Sequence, residues 1–310
     1  MPLISVVTPC FNEEDNVLEL FQRVKKIFDD LPNYAYEHIF IDNASTDKTV
    51  TILKNIARDN PQVKIIVNTR NFGQIRSPMH ATFQTKGDAV IGIVADFQDP
   101  PELIPDFIKK WEEGYKIVIG VKAKTEETFL LSAIRKTYYK IIGKLSDIEM
   151  VQNFTGSGLY DREVIEIIKK IDDPYPYFRG LICDIGFERA IILYNQPVRK
   201  RGVTKNNFYT LYDLAMLGIT NHSKVPLRMA TMTGFAAAIL SLLFALAYFI
   251  YKLIFWKSFS LGIAPLVIGV FFFFAVQLFF IGIIGEYIGS IHTQVLKRPL
   301  VIEKERINFD

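Results

Sequence analysis

Short apolar runs alternate with amphipathic stretches along the first part of the chain. Runs rich in Val and Ile predict five buried strands, at residues 3–9, 38–41, 63–67, 89–94 and 116–121. Between these runs, apolar residues recur at helical spacing, as in Val17, Leu20, Phe21 and Val24, and predict intervening helices. Strands that alternate with helices predict an α/β fold with a mostly parallel, Rossmann-like sheet.

Beyond Pro226 the pattern changes, because charged positions almost disappear. Residues 229–255 carry a single charge, Lys252, and residues 261–285 carry none. Each run exceeds the roughly 20 residues that a helix needs to cross a bilayer. Two buried helices of a soluble core are the alternative explanation. The sequence therefore predicts a hairpin of two transmembrane helices, at about 229–255 and 262–290.

These changes of pattern divide the chain into four parts. Residues 1–205 would form the soluble α/β domain, and residues 206–226 would form amphipathic helices that lie in the membrane interface. Residues 227–292 would contain the two spans, and residues 293–310 would form a C-terminal tail.

The charges around the hairpin predict its orientation. Basic residues lie on both outer sides, whereas the connecting loop carries only Lys252 and Lys257. The positive-inside rule then predicts a multi-pass protein of the inner membrane, with the soluble domain and both termini in the cytoplasm. Gly285 and Gly289 form a GxxxG pattern, which permits close helix packing and predicts a homo-oligomer.

Composition excludes several classes of protein. The chain has 36 Lys and Arg against 33 Asp and Glu, which gives no reason to expect a nucleic-acid partner. Cys10 and Cys183 lack the spacing of a zinc site or of a disulfide framework. No GxGxxG follows the first strand and no GxxxxGK[ST] occurs, which argues against a dinucleotide cofactor and against a P-loop.

Polar side chains follow each of the first four predicted strands: Asn12, Asp42, Asn71 and Asp96. Because the carboxyl ends of parallel strands meet at one edge of a sheet, these residues should lie together there. Asp96 opens the stretch Asp-Phe-Gln-Asp-Pro-Pro-Glu, whose oxygen donors suit a divalent cation that carries a diphosphate. An acidic helix cap is the alternative.

The second half of the soluble domain holds less specific signals. Residues 154–158 contain two glycines, which predict a flexible loop that lets a substrate approach closely. Asp161 precedes the helix predicted at 162–170, and it is a candidate either for a catalytic base or for the helix N-cap. Basic residues around Arg135 and at 199–205 would bind a phosphate, hold the domain on anionic lipid, or be only solvated.

Five stretches, in order, resemble the motifs of family 2 glycosyltransferases: residues 9–13, 42–47, 70–73, 96–102 and 199–205. The narrower resemblance is to polyisoprenyl-phosphate glycosyltransferases, which include dolichol-phosphate mannose synthases and bactoprenol glucosyltransferases. It implies a GT-A fold and the transfer of a sugar, with inversion, from a nucleotide diphosphate to a polyprenyl phosphate. The leading donor is UDP-glucose, with GDP-mannose as the alternative.

The same resemblance implies roles for residues along the sheet edge. Pro9, Asn12 and Glu13 would hold the nucleoside. Asp42 would contact the base or the ribose, and Asn71 would complete the nucleotide-sugar site.

Metal and acceptor sites are implied in the same way. Asp96 and Gln98 would bind Mg²⁺ or Mn²⁺, and Asp99 would face the sugar or its diphosphate and act with Asp96 in catalysis. Four basic residues would bind the acceptor phosphate: Arg135, Arg199, Arg201 and Lys205.

Two residues depart from the family pattern. Val94 replaces the first carboxylate of a DxD, and Asn43 replaces the second acid of the motif that begins at Asp42. Since Val94 removes an oxygen ligand, a membrane scaffold that binds nucleotide-sugar without catalysis is the alternative from outside the enzymes. No QxxRW is present, which favours a single transfer over processive synthesis.

Overall fold

The computed structural model describes residues 1–123, 151, 153–197, 212–213, 216–220, 223–255 and 263–309 of the 310-residue chain. Its strands are β1 (Leu3–Cys10), β2 (Ala35–Asp42), β3 (Val63–Asn68), β4 (Ala89–Gly92), β5 (Ile117–Lys122), β6 (Phe154–Asp161), β7 (Arg189–Tyr194) and β8 (Glu303–Ile307). Its helices are α1 (Val17–Asp29), α2 (Thr49–Asp59), α3 (Gly73–Phe83), α4 (Ile104–Glu112), α5 (Arg162–Ile171), α6 (Phe178–Asp184), α7 (Val225–Ile254) and α8 (Ile263–Leu296). The five predicted strands are confirmed, with small shifts at their ends.

All eight strands belong to one mixed sheet, in the order β7-β5-β6-β4-β1-β2-β3-β8. The four neighbours β4, β1, β2 and β3 are parallel, and so are β5 and β7. β6 runs antiparallel to β4 and β5, and β8 runs antiparallel to β3. The predicted parallel, Rossmann-like sheet is therefore confirmed for the strands that lead to the polar cluster, and the sheet is mixed at both ends.

The sheet is covered on both faces. On one face, its side chains pack against Phe21 of α1 and Phe107 of α4, and on the other against Met79 of α3 and Val164 of α5. The run Ile39–Ile41 of β2 is fully buried, which requires a helical layer on each side. Apolar burial at about 25 cal/mol per Å² stabilises this three-layer arrangement.

Residues 154–158 form part of a strand, so the prediction of a flexible loop there is wrong. Gly158 lies opposite Gly92 of β4 and Ile119 of β5. A Cβ atom at position 158 would overlap the carbonyl oxygen of Val118. Glycine is required here because two backbones approach closely inside the sheet, and not because a substrate does.

The C-terminal tail returns to the soluble domain and supplies β8. Asn68 at the end of β3 lies opposite Glu303, and the backbone N–H of Thr69 donates to the carbonyl of Ile302 at 2.9 Å. Asn308 donates to the carbonyl oxygens of Ala57 and Val63 at 3.0 and 2.8 Å. Residues 303–307 of the predicted tail are therefore a strand of the sheet, which the sequence did not predict.

The two longest helices precede this tail. α7 has 30 residues and α8 has 34, which correspond to about 45 and 51 Å at 1.5 Å per residue. One described helix, Phe272–Leu296, is long and apolar enough to cross a membrane, and only 6% of its most apolar window is buried. Large side chains such as Phe235, Phe244 and Leu278 are more than half exposed, which is unfavourable in water and normal in lipid.

Candidate active site at the carboxyl edge of the sheet

The structure brings the six residues predicted to bind the nucleotide-sugar to one edge of the sheet. They follow or end parallel strands at their carboxyl ends: Pro9, Asn12 and Glu13 at β1, Asp42 at β2, Asn71 after β3, and Asp96 after β4. In open α/β sheets this edge is where ligands bind.

The loops after β1 and β2 are fastened to each other by side chains that the sequence placed in the site. Asn12 Oδ1 accepts a hydrogen bond from the backbone N–H of Thr46 at 2.8 Å, and the N–H of Asn12 donates to Ser45 Oγ at 2.8 Å. The N–H of Glu13 donates to Thr49 Oγ1 at 2.8 Å. Asn12 has φ 57°, so it does not cap α1, which begins only at Val17.

Asp42 ends β2 with its side chain completely buried. Its Oδ2 accepts from the backbone N–H of Ser45 at 2.9 Å, whereas Oδ1 has no hydrogen-bond partner among the described residues. Burial raises the pKa of this carboxyl, and the hydrogen bonds from Ser45 oppose that shift. A buried carboxylate oxygen without a partner is costly, so a ligand that donates a hydrogen bond to Oδ1 would be favoured here.

Asn43 is a site residue whose importance the sequence did not reveal. Its Oδ1 accepts from the N–H of Phe72 at 2.8 Å and from Asn68 Nδ2 at 3.2 Å. Its Nδ2 donates to Asn71 Oδ1 at 2.9 Å and to the carbonyl of Gly73 at 3.2 Å. An aspartate has no donor for the last two bonds. The amide at this position therefore holds the loop after β3, which explains the departure from the family pattern.

Residues 96–102, here called the acidic loop, follow β4. The backbone N–H of Gln98 donates to Asp96 Oδ1 at 3.1 Å, which closes a tight turn around Phe97. Phe97 has φ 59°, in the left-handed region that a bulky residue rarely adopts. Pro100 and Pro101 then start a short 3₁₀ turn ahead of α4. The turn holds Asp96 and Gln98 at the edge of the sheet, where both are partly buried.

Asp99 is buried where the acidic loop meets two strands of the sheet. Only 3% of the residue is exposed, because Tyr194 of β7 donates to Oδ1 and Thr155 of β6 donates to Oδ2 at 3.2 Å. Burial raises the pKa of Asp99, while the hydrogen bond from Tyr194 opposes the shift. Asp99 thus ties the acidic loop to two strands, and its expected role facing the sugar stays a prediction.

Asp161 lies at the opposite edge of the sheet from Asp96. It is paired with Ala89, the first residue of β4, because β6 runs antiparallel to β4. Its Oδ1 accepts from the N–H of Glu163 at 2.9 Å as the N-cap of α5, and its Oδ2 accepts from Trp111 Nε1 at 2.8 Å. The structure therefore places Asp161 as the helix cap, away from the acidic loop.

The donor groups of the acidic loop suit an ion that arrives with its substrate. Among the residues that the structure describes, no three His, Cys, Asp or Glu side chains come together as they do in a metal site built from protein alone. Asp96 and Gln98 offer one carboxylate and one amide oxygen. Mg²⁺ commonly takes one or two carboxylates together with substrate phosphates and waters. These residues fit a divalent cation that is bound jointly with a diphosphate.

The four residues expected to bind the acceptor phosphate lie outside the described part of the chain: Arg135, Arg199, Arg201 and Lys205. The strands that precede these residues in the chain, β5 and β7, are described. β5 ends at Lys122, close to the end of β7 at Tyr194, where the N–H of Ala123 donates to the carbonyl of Tyr194 at 2.9 Å. Both segments thus depart from the same edge of the sheet as the acidic loop.

Comparisons with known proteins connect this geometry to a family. Residues 5–168 match the family described as Glycosyl transferase family 2. An uncharacterized glycosyltransferase of Synechocystis sp. is 35% identical over 300 residues, which cover 96% of this chain and 94% of that protein. A bactoprenol glucosyl transferase of Shigella phage SfX is 33% identical over 304 residues, which cover 98% of this chain and 99% of that protein.

Solved structures are also similar, at lower identity. A glucosyl-3-phosphoglycerate synthase from Mycobacterium tuberculosis, crystallised with Mn²⁺, UDP and phosphoglyceric acid, matches 71% of this chain and 76% of its own at a TM-score of 0.49 and 17% identity. The sequence similarities, which run through the tail as well, are what connect the chain to the family.

Proposed function

The chain belongs to glycosyl transferase family 2 and is a glycosyltransferase, and on that premise we propose that it transfers a sugar from a nucleotide diphosphate to polyprenyl phosphate at a membrane. Glucose from UDP-glucose is the leading donor. One observation carries the proposal. The acidic loop lies at the same sheet edge as buried Asp42 Oδ1, which has no hydrogen-bond partner among the described residues, in a chain that aligns over 98% of its length with a bactoprenol glucosyl transferase.

In the proposed mechanism, this edge binds and orients the donor. Asp42 Oδ1 accepts a hydrogen bond from the base or the ribose, while Pro9, Asn12 and Glu13 shape the adjoining wall. Asp96 and Gln98 would hold Mg²⁺ or Mn²⁺, which would stabilise the negative charge on the departing diphosphate. The fixed turn at Phe97 keeps these donors in place before the substrate arrives, which lowers the cost of ordering them.

The acceptor makes a protein base unnecessary in this proposal. A phosphate monoester is already anionic near neutral pH, so its oxygen attacks the anomeric carbon without losing a proton to the enzyme. This agrees with the position of Asp161 at the far edge of the sheet. Arginines and lysines on the two segments that leave this edge, Arg135, Arg199, Arg201 and Lys205, would bind and orient the acceptor phosphate.

The proposed membrane topology is a hairpin formed by α7 and α8, with both termini in the cytoplasm. The position of β8 supports it: the soluble domain before α7 and the tail after α8 share one sheet. Two segments of one sheet lie on the same side of a membrane, so the chain between them crosses an even number of times. If α8 crosses, as its length and exposed apolar side chains indicate, α7 crosses too.

This topology predicts a labelling pattern. In a variant with Cys10 and Cys183 replaced by alanine, cysteine at position 257 in the loop between the helices should react with a membrane-impermeant maleimide in intact cells. A cysteine that replaces the exposed Lys304 should react only after the membrane is permeabilised. Labelling of both positions from the same side would contradict the hairpin.

Association through the glycine face of α8 stays part of the proposal. Gly282, Gly285 and Gly289 line a cavity of about 490 Å³ that they share with Asp213 and Met216 of the same chain. In the proposed homo-oligomer, a helix of a second copy would pack against these glycines.

A transfer assay tests the function directly. Purified protein in detergent, given undecaprenyl phosphate, Mg²⁺ and labelled UDP-glucose, should move label into the lipid phase, and EDTA should stop it. GDP-mannose is run in parallel. Label from GDP-mannose alone would keep the reaction class and replace the donor. If the protein binds nucleotide but transfers sugar from no donor in a broad panel, the enzyme proposal fails.

A further inference from the structure

The acidic loop adopts a backbone conformation that must be held by contacts from outside it. Phe97 lies at φ 59° and is neither glycine nor asparagine, the residues that tolerate this region. The turn between Asp96 and Gln98 exists only while Phe97 keeps that conformation, because the hydrogen bond from Gln98 to Asp96 spans it. Contacts to Phe97 therefore decide where the two proposed metal ligands point.

Arg23, on the second turn of α1, contacts the acidic loop at two places. Its guanidinium carbon lies 4.7 Å from the centroid of the Phe97 ring. Its Nε and Nη2 atoms donate to the two carboxylate oxygens of Glu102 at 2.9 and 2.6 Å. A planar guanidinium suits both contacts at once, since one face stacks on a ring while the edge forms a fork with a carboxylate.

These contacts bracket the loop, because Phe97 is near its start and Glu102 is its last residue. Asp99 fixes the middle of the loop to β6 and β7 through Thr155 and Tyr194. The side chain of Arg23 is 31% exposed and lies on the helical layer. Its further ion pair, with Glu19 at 3.7 Å, stays within α1.

We propose that Arg23 is a positioning residue, which holds Asp96 and Gln98 in the geometry that binds the cation and diphosphate by stacking on Phe97 and pairing with Glu102. The contacts of Arg23 support its effect on the acidic loop, and the effect on cation binding rests on the proposed function. Neither sequence motifs nor the sheet edge point to this residue, because it belongs to a helix.

Hydrogen–deuterium exchange on the full chain in detergent tests whether Arg23 holds the acidic loop. In Arg23→Ala, peptides that cover residues 95–103 should exchange about three- to tenfold faster, as expected when a cation–π contact and an exposed ion pair are lost. Peptides from β1, β2 and β3 should be unchanged. Lys25→Ala is the matched control, because it removes an ion pair with Asp29 on the same helix and touches no loop residue.

A second measurement tests whether Arg23 affects cation binding, and it does not depend on sugar transfer. Mn²⁺ binding in the presence of UDP, followed by electron paramagnetic resonance, should weaken about three- to tenfold in Arg23→Ala and less in Arg23→Lys, which keeps the charge but loses the fork. In transfer assays, the metal concentration for half activation should rise by a similar factor, while kcat at saturating metal falls less.

Each result bears on the inference separately from the proposed function. Unchanged exchange in the acidic loop of Arg23→Ala would overturn the positioning role, and so would faster exchange throughout the sheet, because that would reveal a general loss of stability. Unchanged Mn²⁺ affinity beside a loosened loop would overturn the link to the cation. A wild-type protein that transfers no sugar would overturn the proposed function while the exchange and Mn²⁺ results still decide the role of Arg23.

Discussion

Replacing Asp96 with asparagine should lower sugar transfer by about 100- to 1000-fold while the protein stays folded. Asp96 supplies the carboxylate of the proposed cation site, and Val94 offers no second one nearby. The amide keeps the size of the side chain and can still accept the hydrogen bond from Gln98 at 3.1 Å. What it loses is the negative charge, and stabilisation of a departing diphosphate by a bound cation is worth several kcal/mol, with each 1.36 kcal/mol changing the rate tenfold.

The comparison that isolates this effect uses Asp59→Asn, which removes an exposed carboxylate at the end of α2. Transfer rates of both variants would be measured over a range of Mg²⁺ concentrations, together with thermal unfolding. Asp59→Asn should behave as the wild type. An Asp96→Asn enzyme with normal rate and normal Mg²⁺ dependence would exclude Asp96 as a ligand. A wild-type protein with no turnover to lose would favour the scaffold alternative instead.

Gly158→Ala should cause a large loss of stability for the smallest possible change in side chain. The added methyl group would overlap the carbonyl oxygen of Val118 and lie 3.1 Å from the Cα atom of Ile119, both in the backbone of β5. Neither atom can move without disturbing the pairing of β5 with β6. Overpacking of this kind costs about 1–3 kcal/mol, and more where the backbone cannot yield.

Gly92→Ala is the matched control, because Gly92 lies directly opposite Gly158 across the β4–β6 pair. A methyl group there meets only the carbonyl oxygen of Gly156, at an ordinary 3.7 Å. Thermal unfolding in detergent, followed by intrinsic fluorescence, should show a clear drop in midpoint for Gly158→Ala and a small one for Gly92→Ala. Equal midpoints for Gly158→Ala and the wild type would mean that β5 and β6 are not so closely spaced.

The parts of the fold that the sequence predicted well are those decided by local pattern. Strands β1 to β5 are short apolar runs between amphipathic helices, and their positions were predicted to within a few residues. β6 was missed because its Thr-Gly-Ser-Gly sequence is typical of a loop, and only the neighbouring backbone explains the glycine. β8 was missed because Glu-Lys-Glu-Arg-Ile has the charge pattern of an exposed segment.

The site residues also divide into those that local pattern predicts and those that depend on the assembled sheet. The sequence placed Asn12, Asp42, Asn71 and Asp96 at one edge, because each follows a parallel strand. Asp161 also ends a strand, but β6 runs against β4, so the end of β6 lies at the far edge. Strand direction is a property of the assembled sheet, and no local pattern reveals it.

Contacts between segments far apart in the chain could not be predicted from the sequence either. The burial of Asp99 depends on Tyr194, which lies 95 positions away. The role of Arg23 depends on Glu102, 79 positions away.

The position of β8 also sets an order of events during biosynthesis. The residues of β8 are translated after both long helices, whereas β3, which it covers, is translated before them. Until the tail emerges, β3 is an edge strand whose backbone groups are open to wrong partners. The sheet can be completed only after both long helices have left the ribosome. In the proposed hairpin, a chain whose helices crossed the membrane an odd number of times would leave β8 across the bilayer from β3, so completion of the sheet would require correct insertion.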